Sequence, residues 1–345
     1  MAIADLNNDA IADLVVANSG TSQGSVMLGS IGGAFAPPAA FATGADPQAV
    51  VAGDFNADGF LDVATADGGS NTVTALLGDG TGALPLSSAI PVGTTPMALA
   101  LGDLDNDGRL DLVVSDSGSN DVAVLLGDGS GGFTAITPQA ALAMPRGIAL
   151  ADLSADGEAD LVVVCEGADS VSVAFGDGAG GFAAPTTYAV GSAPAGLAIG
   201  DANNDFKADV VVTNTASNSV SVLLGNGLGA LGAAASHATG SFPAAVAVAD
   251  ANRDTYPDLL VVDRDSGTLS LLLGTAGEPP PGDTARGRSL ARIVGIRLPG
   301  LRRPDPRRDG QPRRRRCQRS EVELGFPEES SGTTSALQCG AASIE

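Results

Sequence analysis

Six short acidic loops hold the residues in this sequence that could do chemistry. They read DLNNDAIAD, DFNADGFLD, DLDNDGRLD, DLSADGEAD, DANNDFKAD and DANRDTYPD, starting at Asp5, Asp54, Asp103, Asp152, Asp201 and Asp250. Positions 1, 5 and 9 of every loop are aspartate: Asp5, Asp9 and Asp13; Asp54, Asp58 and Asp62; Asp103, Asp107 and Asp111; Asp152, Asp156 and Asp160; Asp201, Asp205 and Asp209; Asp250, Asp254 and Asp258. Position 3 also carries oxygen, as Asn7, Asn56, Asp105, Ser154, Asn203 and Asn252. Alternate spacing on a tight loop turns these side chains toward one point. A backbone carbonyl at position 7 and the carboxylate at position 9 can close the sphere. About six to eight hard oxygens around a point is the coordination Ca²⁺ takes, whereas Mg²⁺ keeps its waters. With no sulfur or imidazole in the loops, zinc and copper are poor matches.

These positions hold 19 of the 31 acids in residues 1–277, so the charge is clustered rather than spread for solubility. Carboxylates this close repel one another unless a cation sits between them. An EF-hand is excluded: its Glu at position 12 is replaced by Thr65, Val114 and Val163, and β-branched runs follow where a helix is needed. The loops are not expected to be equal. The Asp103 loop has four carboxylates and Gly108 at the sharp turn, so it should be the strongest of up to six calcium sites. Gly59 and Gly157 keep that turn, although Ser154 is a weak ligand, while Ala10, Phe206 and Thr255 replace the glycine. If the turn needs positive φ, each replacement costs about 1 kcal/mol or more.

The elements that position the loops follow from a repeat. Each loop starts 49 residues after the previous one, without insertion or deletion. Gly29, Gly78, Gly127, Gly176, Gly225 and Gly274 keep the same step, as do Pro47, Pro96, Pro145, Pro194 and Pro243. Within one repeat, PMALALG, LDLVVSD, DVAVLLG and GGFTAIT are short apolar runs separated by turn-forming residues, which reads as four strands. The middle runs are apolar at consecutive positions, the pattern of strands buried on both faces. The fold class expected is all-β, a β-propeller of four-stranded blades. A β-solenoid is the competitor, but hairpin-type links suit a blade better. Blades fall at about 1–44, 45–93, 94–142, 143–191, 192–240 and 241–277. The first lacks part of its inner strand. The sixth stops after its third, which leaves an open ring, a strand supplied by the tail, or a fragment of a longer protein; the fragment is the favoured reading.

Composition bounds the rest. The 345 residues have no Trp and a net charge of −22. Residues 1–277 carry 31 acids and 5 bases, and residues 278–345 carry 9 acids and 13 arginines, so the chain changes character at 277/278. The Arg/Pro-rich tail at 278–345 reads as disordered or as a reading-frame artefact. It lacks the aromatics of a nucleic-acid element, and its acidic neighbour repels phosphate. No apolar run reaches the roughly 18 residues of a membrane span, and no signal peptide is visible at the start. Cys165, Cys317 and Cys339 match neither a disulfide framework nor a zinc site. Cys165 reads as a buried apolar residue and His237 as a surface one. Six alike loops point to one structural device, so no catalytic residues are expected.

The acidic loops, the LVV runs after them, and the Gly-rich turns ending in Phe133 or Phe182 resemble the FG-GAP/VCBS repeats, the family that includes the propeller of integrin α subunits. The resemblance covers residues 1–277. It implies four-stranded blades, calcium in the loop between the first two strands, and adhesion or ligand binding at the cell surface. Extracellular calcium modules bind at about 10⁻⁴ to 10⁻³ M, too weakly to fill in the cytosol. The expected protein is thus a calcium-stabilised, non-catalytic interaction module, extracellular or on the cell surface, with a protein or glycan ligand. The alternatives are the non-catalytic propeller of a larger secreted enzyme, or a lectin-like propeller.

Overall fold

The structure is a computed structural model that describes residues 1–141, 143–274 and 290–297. Its strands form six antiparallel sheets, each built from strands consecutive in sequence. Blade 3 is representative. Its inner strand Pro96–Gly102 pairs with Asp111–Asp116, which pairs with Asp121–Gly127, and the outer edge is split into Phe133–Ala135 and Gln139–Ala140. The proline landmark opens the inner strand in blades 2 to 6, the strand position where a missing N–H is tolerated. Among the described residues there is no α-helix; one 3₁₀ turn spans Glu166–Ala168. No helix of the described residues is long and apolar enough to cross a membrane.

The inner strands pack side by side in chain order, and a hydrophobic cluster fills each junction between consecutive blades. The continuous apolar runs are explained by these clusters. Val113 packs toward Leu161 and Val163 of blade 4, while its neighbours Leu112 and Val114 pack toward Ala64 and Ala66 of blade 2. Successive residues of a strand point to opposite faces, and both faces here are covered. Each fully buried Val or Leu contributes about 1.5–3 kcal/mol relative to exposure. Small residues bring the sheets close together, and aromatic contacts are few; Phe55 and Phe133 meet edge-on at 5.3 Å between centroids.

Two sequence expectations meet different outcomes at the ends of the repeat array. The inner strand of blade 1 is short, Ala2–Ala4, as its late start implies. Blade 6, in contrast, does not stop at its third strand. Residues Leu290–Arg297, inside the segment read as a disordered tail, pair antiparallel with Thr268–Gly274 and supply the fourth strand. Of the alternatives for blade 6, this is the one in which the tail supplies a strand. The arginines of LARIVGIR and a connection longer than in the other blades set this segment apart from the repeat in the sequence. The remainder of the tail, including Cys317 and Cys339, lies outside the described residues.

Candidate metal sites

In an antiparallel meander the first-to-second and third-to-fourth connections lie at the same end. All six acidic loops therefore share one rim with the Gly-rich turns. The turn of one blade also caps the loop of the blade before it. The N–H groups of Gly131, Gly180 and Gly229 donate to the carbonyls of Phe55, Leu104 and Leu153, at 3.2, 2.9 and 2.8 Å.

Each loop is wound by its own carboxylates. In the Asp103 loop, Asp103 Oδ1 accepts the N–H of Asp107 at 3.2 Å and Oδ2 accepts that of Gly108 at 2.9 Å. Asp107 Oδ1 accepts the N–H of Arg109 at 2.9 Å. The backbone turns left-handed twice, at Asn106 (φ 58°) and Gly108 (φ 82°). The same two positions have positive φ in all six loops, including Ala10 (63°), Phe206 (64°) and Thr255 (75°). The glycine at position 6 thus answers a backbone requirement, and three loops meet it without glycine.

Asp at position 9 is buried in every loop: Asp13, Asp62, Asp111, Asp160, Asp209 and Asp258 are each 0–1% exposed. Both its oxygens are engaged. In blade 3, Oδ2 of Asp111 accepts the N–H of Leu104 and Oδ1 accepts that of Gly127, both at 2.8 Å. The pattern recurs in the other blades. This explains the glycine landmark. A Cβ on Gly127 would lie 2.3 Å from the Leu110 carbonyl oxygen, and on Gly225 2.0 Å from that of Ala208. Burial raises the Asp111 carboxyl above its ordinary range, with repulsion from Asp105 and Asp107 adding and the two N–H donors opposing. Asp62 is raised in the same way, and burial pushes Asp209 up to about 6.

The structure brings three of the four carboxylates of the Asp103 loop together. Asp103, Asp105 and Asp111 each offer an oxygen within 4.8 Å of the others, and among the described residues they are the one such group of His, Cys, Asp or Glu. Asp107 stands apart from it, with Oδ2 3.2 Å from Arg109 Nη1. In other loops the position-3 amide substitutes for a carboxylate: the Nδ2 groups of Asn7, Asn56 and Asn252 donate to Asp9, Asp58 and Asp254. Asn203 Oδ1 accepts the N–H of Asp205 at 2.9 Å. Ser154 Oγ is buried without a hydrogen-bond partner. The hard-oxygen donor set at Asp103, Asp105 and Asp111 fits a calcium ion, since each carboxylate oxygen that accepts one N–H keeps a lone pair free.

A second recurring position, holding a buried polar residue in blades 2, 3, 5 and 6, went unread in the sequence. The last residue of each second strand, five positions beyond the loop, is Asn18, Asp67, Asp116, Cys165, Asn214 or Asp263. These lie at the opposite rim, against the linkers between blades. Asp67 accepts hydroxyls from Thr74 at 2.6 Å and Thr65 at 2.9 Å. Asp263 accepts from Ser270 at 2.6 Å. Asp116 has lost those donors, because Val114 and Ala123 stand where Thr65 and Thr74 do in blade 2. It accepts the N–H of Gly93 at 3.0 Å, its Oδ1 has no partner, and burial pushes its pKa up to about 7. The signal available was the 49-residue recurrence of a polar residue closing an apolar run. Cys165 is buried, as expected; His237 lies half-buried in the strand Ala235–Ala238, with burial lowering its pKa.

Six four-stranded sheets stacked through their faces define a β-propeller-type repeat protein. Comparison of the sequence with protein families agrees: the FG-GAP-like repeat matches residues 5–65, 54–114, 103–163, 152–212 and 201–261. The chain belongs to the FG-GAP-like repeat family. No curated protein matches it. Among solved structures, a candidate 6-phosphogluconolactonase from Bacteroides fragilis is 15% identical, with 86% of this chain and 84% of that one covered and a TM-score of 0.62. A similar candidate from Bacteroides uniformis is 17% identical over 86% and 85% of the two chains, with a TM-score of 0.61. A catalytically inactive virginiamycin B lyase from Staphylococcus aureus, in complex with quinupristin, is 11% identical over 86% and 88%, with a TM-score of 0.51. At these identities the likeness is one of fold.

Proposed function

We propose that this protein is a calcium-stabilised propeller that serves, without catalysis, as an extracellular or cell-surface interaction module. The observation that carries the reading is the convergence of Asp103, Asp105 and Asp111, whose oxygens lie within 4.8 Å of one another. A bound ion would supply the positive charge that this cluster lacks. The chain supplies the rest: Gly108 and Asn106 wind the loop, and the N–H groups of Leu104 and Gly127 hold Asp111 in place.

Site strength sets the compartment. At millimolar calcium, a site with a dissociation constant near 10⁻⁴ to 10⁻³ M adds on the order of 0.4–1.4 kcal/mol to stability. Several such sites approach the net stability of an ordinary domain. The ligand this module takes is a protein or a glycan.

Calcium titration followed by thermal melting tests the reading. The melting temperature is expected to rise with calcium and to fall in chelator. A melting temperature that ignores both would remove calcium from the account.

A further inference from the structure

Neighbouring acidic loops touch one another through position 4. Three loops carry asparagine there, Asn8, Asn106 and Asn204, and two of these side chains reach the loop of the next blade. Asn106 Nδ2, in the Asp103 loop, donates to Glu158 Oε2 of the Asp152 loop at 2.7 Å. Asn204 Nδ2, in the Asp201 loop, donates to the Thr255 carbonyl of the Asp250 loop at 2.8 Å. Ala57 and Ala155 hold the same position in the Asp54 and Asp152 loops and offer no side-chain donor. The loops of blades 3 and 4 are therefore tied, as are those of blades 5 and 6. The loops of blades 2 and 3, and of blades 4 and 5, lack this tie.

Each end of the Asn106–Glu158 bond lies between candidate ligands. Asn106 stands between Asp105 and Asp107, at φ 58°. Glu158 stands at position 7, between Asp156 and Asp160. Its Oε2 also lies over the Gly-rich turn of its own blade, where a Cβ on Gly178 would stand only 2.7 Å away. A bond from an amide to a carboxylate is charge-assisted, so it is the stronger of the two ties. The cap from Gly180 to the Leu104 carbonyl joins the same two blades, but an equivalent cap joins blades 2 and 3, and blades 4 and 5, and so does not mark out pairs.

We infer that the acidic loops work in pairs: occupancy of the Asp103 loop by a divalent cation tightens binding at the Asp152 loop, and the Asp201 and Asp250 loops are coupled in the same way. The inference rests on the calcium reading proposed above. Its physical basis is shared ordering, since a bond between two loops costs less entropy when one of them is already fixed. Drawing Asp103, Asp105 and Asp111 to one point fixes the backbone at Asn106. The Asn106 amide then holds Glu158, and with it the stretch between Asp156 and Asp160. The coupling is reciprocal, so the Asp152 loop returns the same factor. Repulsion between the two cations opposes it, and water and salt at this exposed rim screen that repulsion. With Ser154 in place of an amide or carboxylate at position 3, the Asp152 loop has the most to gain.

Backbone amides report the loops one at a time. The N–H groups of Gly108, Gly157 and Phe206 donate to Oδ2 of Asp103, Asp152 and Asp201 at 2.9, 3.0 and 2.8 Å. The test is calcium titration of the full chain followed by NMR at these amides, for the wild type, Asp105→Asn, Asn106→Gly and the double variant. Asn106→Gly removes the side-chain donor and keeps the left-handed turn. Asp105→Asn moves filling of the Asp103 loop to higher calcium. In the wild-type background, Asp105→Asn is expected to raise the calcium midpoint at Gly157 roughly two- to tenfold, the range of one hydrogen bond, and to leave that at Phe206 unmoved. In the Asn106→Gly background it is expected to leave Gly157 unmoved as well. A Gly157 midpoint indifferent to Asp105→Asn would overturn the inference, and so would a shift that persists without the Asn106 amide. Amides that ignore calcium altogether would remove the calcium reading and the inference with it, an outcome distinct from calcium binding without coupling.

Discussion

Asp111 and Gly127, 16 residues apart, are joined by a 2.8 Å hydrogen bond from the glycine N–H to Oδ1 of the carboxylate. The bond ties the acidic loop to the end of the third strand, while Oδ2 holds the loop's own start at Leu104. One buried side chain therefore sets both the loop and the blade around it. The glycine is required by close approach to the Leu110 carbonyl, 2.3 Å from where its Cβ would stand.

Substituting Gly127 and Gly108 by alanine should separate these roles. Gly127→Ala drives a methyl into backbone and is expected to cost roughly 1–3 kcal/mol, as overpacking does. Gly108 has open space around it, so Gly108→Ala meets only the φ penalty of about 1 kcal/mol. Urea denaturation of both variants checks the order; equal losses would contradict it.

The reverse exchange should stabilise the loops that lack glycine at position 6. Phe206 holds φ at 64° with its ring 97% exposed, so Phe206→Gly relieves strain and gives up no packing. A gain of up to about 1 kcal/mol is expected, tempered by the greater freedom of glycine in the unfolded chain. Thermal melting in chelator reads this without interference from calcium.

Asp105 is the residue that distinguishes the Asp103 loop, whose position 3 is the one carboxylate among the six loops. Asp105→Asn makes position 3 like that of the Asp5 and Asp54 loops and removes one carboxylate from the cluster. Calcium affinity is tuned by ligand charge, and a roughly tenfold weakening at this site is expected. Isothermal calorimetry, with the melting temperature in chelator as a control for folding, measures it.

Stability in the absence of calcium should fall as pH rises. The Asp116 carboxyl sits at about 7 in the folded chain against an ordinary 3.8. A raised acid contributes fully below the unfolded value, and that contribution is lost as pH climbs through the folded one. The loss is on the order of a few kcal/mol between mildly acidic and neutral pH. Asp116→Asn should flatten this dependence, and Asn214 shows that blade 5 already accommodates the amide. Melting curves of both proteins from pH 4 to 8 in chelator provide the check.

The unit and its period were legible because each landmark meets a local demand that recurs unchanged. Position 1 winds the loop, position 9 clamps it, and the glycine admits the Leu110 carbonyl; none of these tolerates a shift in spacing. The glycine at position 6 raised the possibility of a left-handed turn, which the φ values there show. The fourth strand of blade 6 stood only as one alternative, without a position, since its arginines and its longer connection set it behind a change of composition. The carboxylate series at Asp67, Asp116 and Asp263 escaped notice because those residues look like ordinary turn formers until burial is known. Asp107 looked equivalent to Asp105 in sequence. Only the fold shows that it turns away toward Arg109.

Among the described residues, each blade takes its strands in order from one stretch of chain. No described strand is shared between blades. A whole 49-residue cassette could be excised or duplicated between equivalent points without severing any sheet ladder. Unequal recombination can lengthen or shorten such a gene by complete modules, each addition presenting the same chemistry at its seams as the module beside it.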